Sequence, residues 1–388
     1  MGSSSLLPEV VVVGGGVHGA SAAYHLAQHG AAVRLIERGA VGQGPTGRSS
    51  ACCRASYTNE FLAQVASESI RMLGRFEDLT GRDAGFRKVG LLHLHAPESL
   101  AKLTVTVDMM NRIGAKAHLL RRDELAKDFP EIDLDGVGCA SWEEGAGYAD
   151  PVATTEGLVD AARALGAWVT PSCRVMEMQP RAGGGATLVT RSGEKIDAGR
   201  VLVAAGPWTG GLLSSLGIQL PLTAERHFVA TFSWGPSRPL GYQYADIVQG
   251  YYVRPEGEEL FLSGPLTPEG EVNPDRYSEV IAEDEIERMA RIISSRIPNL
   301  GQSGSRGGWA SLYDVSPDWQ PVIGQVAEGV FVDAGTSGHG FKLAPALGKY
   351  VARLVLGLEV PELGPFAADR FERGALLTAG YGSARILG

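Results

Sequence analysis

The stretch Glu9-Val10-Val11-Val12-Val13-Gly14-Gly15-Gly16-Val17-His18-Gly19 constrains this chain more than any other part of it. It joins an apolar strand to a helix-forming run (Ala20 to Gly30), and a second strand (Ala31 to Ile36) then delivers Glu37. Each glycine has a mechanical reason. Gly14 permits the tight turn, Gly16 lets backbone N–H groups approach a pyrophosphate, and Gly19 lets the helix pack on the strand. Gly15, Val17 and His18 complete the cradle. Phosphates set there meet free N–H groups and the positive end of the helix dipole. Glu37 can accept hydrogen bonds from an adenosine ribose and would repel a 2′-phosphate, and Arg38 stands next to it. The whole strand–glycine–helix–strand–acid unit predicts a bound dinucleotide.

Composition narrows the remaining choices. At 388 residues the chain exceeds the size at which single cores stop growing, so two domains are expected. A net charge of −9 argues against nucleic acid or an anionic membrane surface as partner. No apolar run approaches the roughly twenty residues of a membrane span, and no secretory signal is visible, so a cytoplasmic location is expected. Cys52, Cys53, Cys139 and Cys173 lack metal-ligand spacing. The adjacent Cys52 and Cys53 read either as a redox pair or, more simply, as two small buried residues.

Beyond the first βαβ unit (8–37), a Gly/Ser loop carries Gly42, Gly44, Gly47, Ser49 and Ser50 and leads to Arg54 and Tyr57. Val65, Met72, Leu73, Phe76 and Leu79 then mark one face of a helical stretch. The segment Phe86 to His95 reads as a strand and 98–116 as a helix. Asp150-Pro151 is a helix start, a capping side chain before a proline at the first helical position. Strands follow at 167–170 and 173–178, and a meander over 183–205 ends in a buried strand, Val201 to Ala205. Segment 222–265 is strand-rich and 280–295 helical. A strand, Val330 to Asp333, leads through a glycine-rich loop into a helix from about Pro345 with an apolar stripe. No internal repeat or low-complexity linker is present, so the two domains are expected to interleave.

Two late segments choose between cofactors: Val201 to Thr209, a buried strand breaking at Ala205-Gly206-Pro207-Trp208, and Gly335-Thr336-Ser337-Gly338-His339-Gly340-Phe341-Lys342. A nicotinamide enzyme needs only the first fingerprint. A second glycine-rich helix start three hundred residues later suits a longer ligand whose far end is an isoalloxazine ring.

With Thr46-Gly47-Arg48-Ser49-Ser50, Phe86 to Gly90, Tyr148 to Pro151, Tyr252-Val253-Arg254-Pro255 and Ser316 to Pro321, these segments resemble the D-amino-acid-oxidase-like flavoproteins, within them the sarcosine oxidase and glycine oxidase group. The resemblance covers nearly the whole chain. It implies an α/β fold: a Rossmann-type FAD-binding domain from 8–85, 149–221 and 308–388, interleaved with an α+β substrate domain with a mixed β-sheet from 86–148 and 222–307. It implies cofactor contacts from Gly14 to Gly19, Glu37, Arg38, Arg48, Ser49, Ser50, Val175, Ala205, Gly206, Trp208, Gly335 and Gly338 to Lys342. Arg54 and Lys342 fall where the resembling enzymes place their substrate-carboxylate clamps; Tyr252 is a candidate cap and Arg254 a rival clamp.

Lys342 also has an argument of its own. A cation beside a helix N-terminus faces an unfavourable dipole and calls for an anionic neighbour. His339 reads as a loop-shaping residue rather than a base. Covalent members attach FAD through a cysteine before a tyrosine turn. Ser311, before Tyr313, occupies that place here, so non-covalent FAD is expected. Oxygen-using sarcosine oxidases carry a lysine on a strand over the flavin, where the alignment puts Phe261.

The expected activity is oxidation of the C–N bond of a small N-methyl, cyclic secondary or D-amino acid by hydride transfer to flavin N5. The imine formed hydrolyses, and O2 is the expected acceptor. The alternatives are a dehydrogenase feeding a quinone or protein partner, a non-catalytic flavoprotein assembly factor, and a nicotinamide dehydrogenase. A monomer or homodimer is expected.

Overall fold

The computed structural model describes residues 9–236, 239–267 and 270–378. Val10–Val13 is buried at all four positions, as a central strand of a largely parallel sheet must be. The six-stranded sheet runs in the order Val322–Ala327, Val330–Ala334, Arg200–Val203, Val10–Val13, Val33–Ile36, Trp168–Thr170. Only the Val322–Ala327 edge strand is antiparallel. Val10–Val13 pairs with Val33–Ile36 on one side and Arg200–Val203 on the other. Its carboxyl end is therefore a point where the chain path reverses across the sheet, the place where such sheets open a crevice for ligands.

The helix Val17–Gln28 packs against Ala344–Val355 and Pro151–Ala164. The last of these begins as its sequence requires, with the Asp150 carboxylate accepting from Val152 N and Ala153 N at 2.8 and 2.9 Å. Val175–Pro180, Ala186–Thr190 and Lys195–Ala198 form an antiparallel meander. Among the described residues no helix is long and apolar enough to cross a membrane.

A mixed eight-stranded sheet covers the crevice, in the order Gly304–Val315, Thr223–Ser233, Leu260–Pro265, Tyr251–Glu256, Gln243–Asp246, Leu91–His95, Cys139–Glu143, Ala117–Arg121. Its one parallel contact joins Gln243–Asp246 to Leu91–His95. One face of this sheet packs on helix Glu283–Arg296 through Phe228, Phe261, Met289 and Ile293. Burying such side chains contributes about 2 kcal/mol each relative to leaving them in water. The Arg296 guanidinium, buried in this layer, donates to Asp246 at 2.6 Å.

Three expectations need adjustment. The single strand expected over Phe86 to His95 is broken. Gly90 takes φ +77°, and a Cβ there would meet the Trp142 ring at 2.3 Å. Arg87–Lys88 therefore joins a small sheet with Gly147–Tyr148 and Cys52–Cys53, and only Leu91–His95 enters the large sheet. The helix expected from Val65 to Leu79 is two, Glu60–Leu73 and Phe76–Thr80. The strand Gly304–Val315 runs across the expected domain limit at 307/308, because it pairs along its length with Thr223–Ser233 in the eight-stranded sheet. The expected limit at residue 8 and the segment 379–388 lie outside the described residues.

Candidate active site

The glycine loop is built by close backbone approach. Gly14 has φ +112°, and a Cβ there would lie 2.2 Å from Ala204 O. A Cβ on Gly19 would lie 1.9 Å from Gly14 O. Only hydrogens fit at these two positions, so Val17–Gln28 starts tight against the strand end. Gly16 caps that helix, and Thr46 Oγ1 accepts from Val17 N at 3.2 Å. Glu37 accepts from Gly15 N at 2.7 Å and from Gly39 N at 2.8 Å, which braces the loop.

A cavity of about 330 Å3 opens over this loop. Its walls include Gly14, Gly15, Gly16, Val17, His18, Glu37 and Arg38. Arg48, Ser49, Ser50, Val175, Ala205, Gly206 and Trp208 also line it, with Gly338, Gly340 and Phe341 from the C-terminal glycine loop. The Arg38 guanidinium lies 3.5 Å from the centroid of the Trp208 ring, and Trp208 Nε1 donates to Asp275 at 3.0 Å. A stacked cation and indole thus border the end nearest Glu37.

Two widely separated loops meet here through His18. Its Nδ1 donates to the Asp333 carboxylate at 3.0 Å and its Nε2 to Gly340 O at 3.1 Å. Both partners only accept, so the ring satisfies both bonds as an imidazolium. Burial pulls its pKa down. The Asp333 charge and hydrogen bond, helped by Asp314 and Gly340, outweigh that and raise it above the ordinary value.

A second, smaller cavity of about 70 Å3 shares Ser49, Ser50, Tyr313, Gly338 and Phe341 with the first. Beyond those shared walls lie Cys52, Arg54, Leu91, His93, Gln243, Tyr252 and Lys342. Arg54 Nη1 donates to Ser56 O at 2.6 Å, and its guanidinium lies 4.8 Å from the Tyr57 ring centroid. Lys342 Nζ sits 6.0 Å from the same ring and donates to His339 O at 3.3 Å. Lys342 is only 6% exposed and makes no ion pair among the described residues. Burial, then the Arg54 charge, bring its pKa down to about 7. Burial pushes the nearby Glu143 carboxyl up to about 7, against a bond from Ala55 N and the Arg54 charge.

Not every expected residue lines a cavity. Gly19 serves packing alone, and Gly335 faces Val322, Leu222 and Ser316. His339 is fully buried behind the loop: its Nε2 donates to Trp319 O at 2.8 Å and its Nδ1 accepts from the Tyr57 hydroxyl at 3.2 Å. Burial, with the Lys342 charge, brings its pKa to about 3, so the ring is neutral. Lys342 lines the smaller cavity rather than the larger. Arg254 lines neither; its guanidinium lies 4.3 Å from the Tyr148 ring centroid, donates to Pro255 O and pairs with Glu256. Phe261 does not lie over the site either. It packs between Phe232 and Trp234, at ring separations of 5.3 and 4.6 Å, on the face turned to Glu283–Arg296.

Several wall residues carried no motif. His227 stacks on Tyr313 at 3.9 Å, and its cross-strand partner is Ser311. His93 and Asp333 are polar residues inside apolar strands, which is the one signal that marked them, and Gln243 opens the short strand Gln243–Asp246 with no such signal.

An FAD molecule fits these residues. The glycine cradle with its bracing acid suits a pyrophosphate and ribose. His227 and Ser311 line the larger cavity, and their Nδ1 and Oγ, both buried and without a partner among the described residues, can be satisfied by the polar edge of an isoalloxazine. Comparisons with known proteins agree. The human peroxisomal sarcosine oxidase is 26% identical to this chain over 96% of the chain and 98% of that protein. The glycine oxidase of Bacillus licheniformis is 26% identical over 94% and 98%. The crystal structure of L-proline dehydrogenase from P. horikoshii superposes with a TM-score of 0.86 at 25% identity, covering 96% of this chain and 99% of that one. The model of the DAO family, FAD dependent oxidoreductase, matches residues 9–354, and the chain belongs to that family of FAD-dependent oxidoreductases.

Proposed function

We propose that this protein oxidises the C–N bond of a small amino acid whose carboxylate is held by Arg54 and Lys342, with non-covalently bound FAD as the oxidant and O2 as the final acceptor. The observation that carries the reading is Lys342: a buried ammonium without an ion pair among the described residues, on the same small cavity as a guanidinium. A buried cation is costly unless an anion meets it, and a substrate carboxylate is such an anion. The activities by which the similar proteins are named, on sarcosine, glycine and proline, all concern small amino acids and support the same class.

Bound FAD supplies a two-electron acceptor for the hydride equivalent leaving the carbon next to nitrogen. The chain supplies position. Arg54 and Lys342 fix the carboxylate end, and Tyr252 and Leu266 wall the remainder of the cavity. Tyr252 stays a neutral phenol, since burial pushes its pKa up. The cavity's volume of about 70 Å3 has room for about five or six non-hydrogen atoms, the size of glycine, sarcosine or alanine. The imine released hydrolyses to a carbonyl compound and an amine.

Ser311 offers a hydroxyl, not a thiol, beside the cavity, which supports a releasable flavin; acid precipitation should free all of the yellow colour from the polypeptide. Because Phe261 sits in the sheet core, its identity says nothing against oxygen. Turnover in air compared with turnover on an artificial acceptor tests the acceptor. Peroxide formed in step with the carbonyl product supports an oxidase, and turnover confined to the artificial acceptor contradicts it.

A further inference from the structure

Gln243 opens the strand Gln243–Asp246 in the eight-stranded sheet and is 1% exposed. Its Nε2 donates to Gly147 O at 3.0 Å. A carbonyl oxygen only accepts, so that bond fixes which way the side-chain amide faces. Oε1 is left as a buried acceptor without a partner among the described residues. Gln243 lines the small cavity together with Arg54 and Lys342.

We propose that Gln243 Oε1 accepts the N–H of the substrate amine, which makes Gln243 a specificity-determining residue. The inference rests on the amino-acid reading above. In a cavity of this size a carboxylate drawn to the two cations leaves the amine as the remaining donor of a small amino acid. A buried acceptor is expensive to leave unpaired, so the site discriminates against ligands that lack the N–H. His93, on the neighbouring strand, does not add a third cation. Burial and the charges of Arg54, His95 and Lys342 keep its ring neutral.

The test compares an amino acid with the isostere in which an ether oxygen replaces N–H: sarcosine with methoxyacetate, and proline with tetrahydrofuran-2-carboxylate. Affinity for the amino acid is read from the concentration that half-saturates anaerobic flavin reduction. Affinity for the ether is read from its perturbation of the flavin spectrum. In the wild-type protein the better amino acid should bind at least about ten-fold more tightly than its ether partner. In Q243M, with flavin content unchanged, amino-acid affinity should fall about ten- to hundred-fold while ether affinity stays within about two-fold.

Equal losses for both ligands would mean that Gln243 only shapes the sheet, and no loss for either would mean that the amine bonds elsewhere. Either result overturns the assignment. If Q243M does not take up FAD, the wild-type pair decides alone, and equal affinities for amino acid and ether overturn it. A wild-type flavin that no amine reduces contradicts the amino-acid reading instead, so the two failures are distinguishable.

Discussion

His18, in the first turn of the helix Val17–Gln28, bonds through Nδ1 at 3.0 Å to Asp333, a residue 315 positions later at the end of Val330–Ala334. With its second bond to Gly340 O, this one ring ties the N-terminal glycine loop to the C-terminal one beside the larger cavity. Its raised pKa gives the tie a pH dependence. A histidine whose folded pKa exceeds its unfolded value of about 6.5 contributes stability fully below that value and loses it as pH rises through the folded one. Asp333→Asn should therefore cost about 2 kcal/mol near pH 6 and much less at pH 9. Thermal midpoints of wild type and variant, followed by flavin fluorescence across that range, check the convergence.

Lys342 gives the same sign for a ligand, although its pKa is shifted down rather than up. Its pKa of about 7 in the unliganded site means that the ammonium is fully charged only below that pH. A carboxylate ligand prefers the charged form, so its affinity should fall as pH rises above 7, by up to about ten-fold per unit. Lys342→Met should remove that slope and weaken binding at pH 6 by about ten- to hundred-fold. Spectral titration with methoxyacetate at several pH values reads both effects.

Gly14 has no room for a side chain. Gly14→Ala places a methyl 2.2 Å from Ala204 O on a residue held at φ +112°, so strand end and helix start must separate. A cost of about 3 kcal/mol or more at this loop corresponds to at least a hundred-fold loss of FAD affinity. The flavin-to-protein ratio after dialysis measures it.

Arg254 should behave as a packing residue. Arg254→Met loses the stack on Tyr148 and the Glu256 pair, and should lower the thermal midpoint by a few degrees. The affinity of the holoenzyme for methoxyacetate should stay within about two-fold, because Arg254 lines neither cavity. Titration of the purified variant checks this.

What the sequence made legible was local. The glycine turn, the acid after the second strand and the Asp150 cap are set by neighbours within a few turns, and the structure forms the turn and the cap and places Glu37 directly after Val33–Ile36, where it braces the turn. The break at Gly90 needed Trp142, which arrives only when Cys139–Glu143 pairs with Leu91–His95. Phe261 could not be placed from the sequence, because the face it occupies is settled by the pairing of Leu260–Pro265 with Thr223–Ser233 and Tyr251–Glu256 and not by local pattern. Gln243 and Asp333 stayed silent for another reason. Asp333 is a polar residue in an apolar strand, which signals a buried partner but not its identity, Gln243 opens a half-polar strand, and the partners of both lie on distant segments.

The central claim is amino-acid oxidation at the cavity shared by Arg54 and Lys342. The most direct measurement is an anaerobic titration of the purified yellow protein with sarcosine, proline, glycine and D-alanine, read at the visible flavin bands. Bleaching by at least one of them in wild type, with the half-saturating concentration raised about ten-fold or more in Lys342→Met, is the predicted result. A flavin that remains oxidised with every amine, in a protein that retains its full FAD content, would contradict the account.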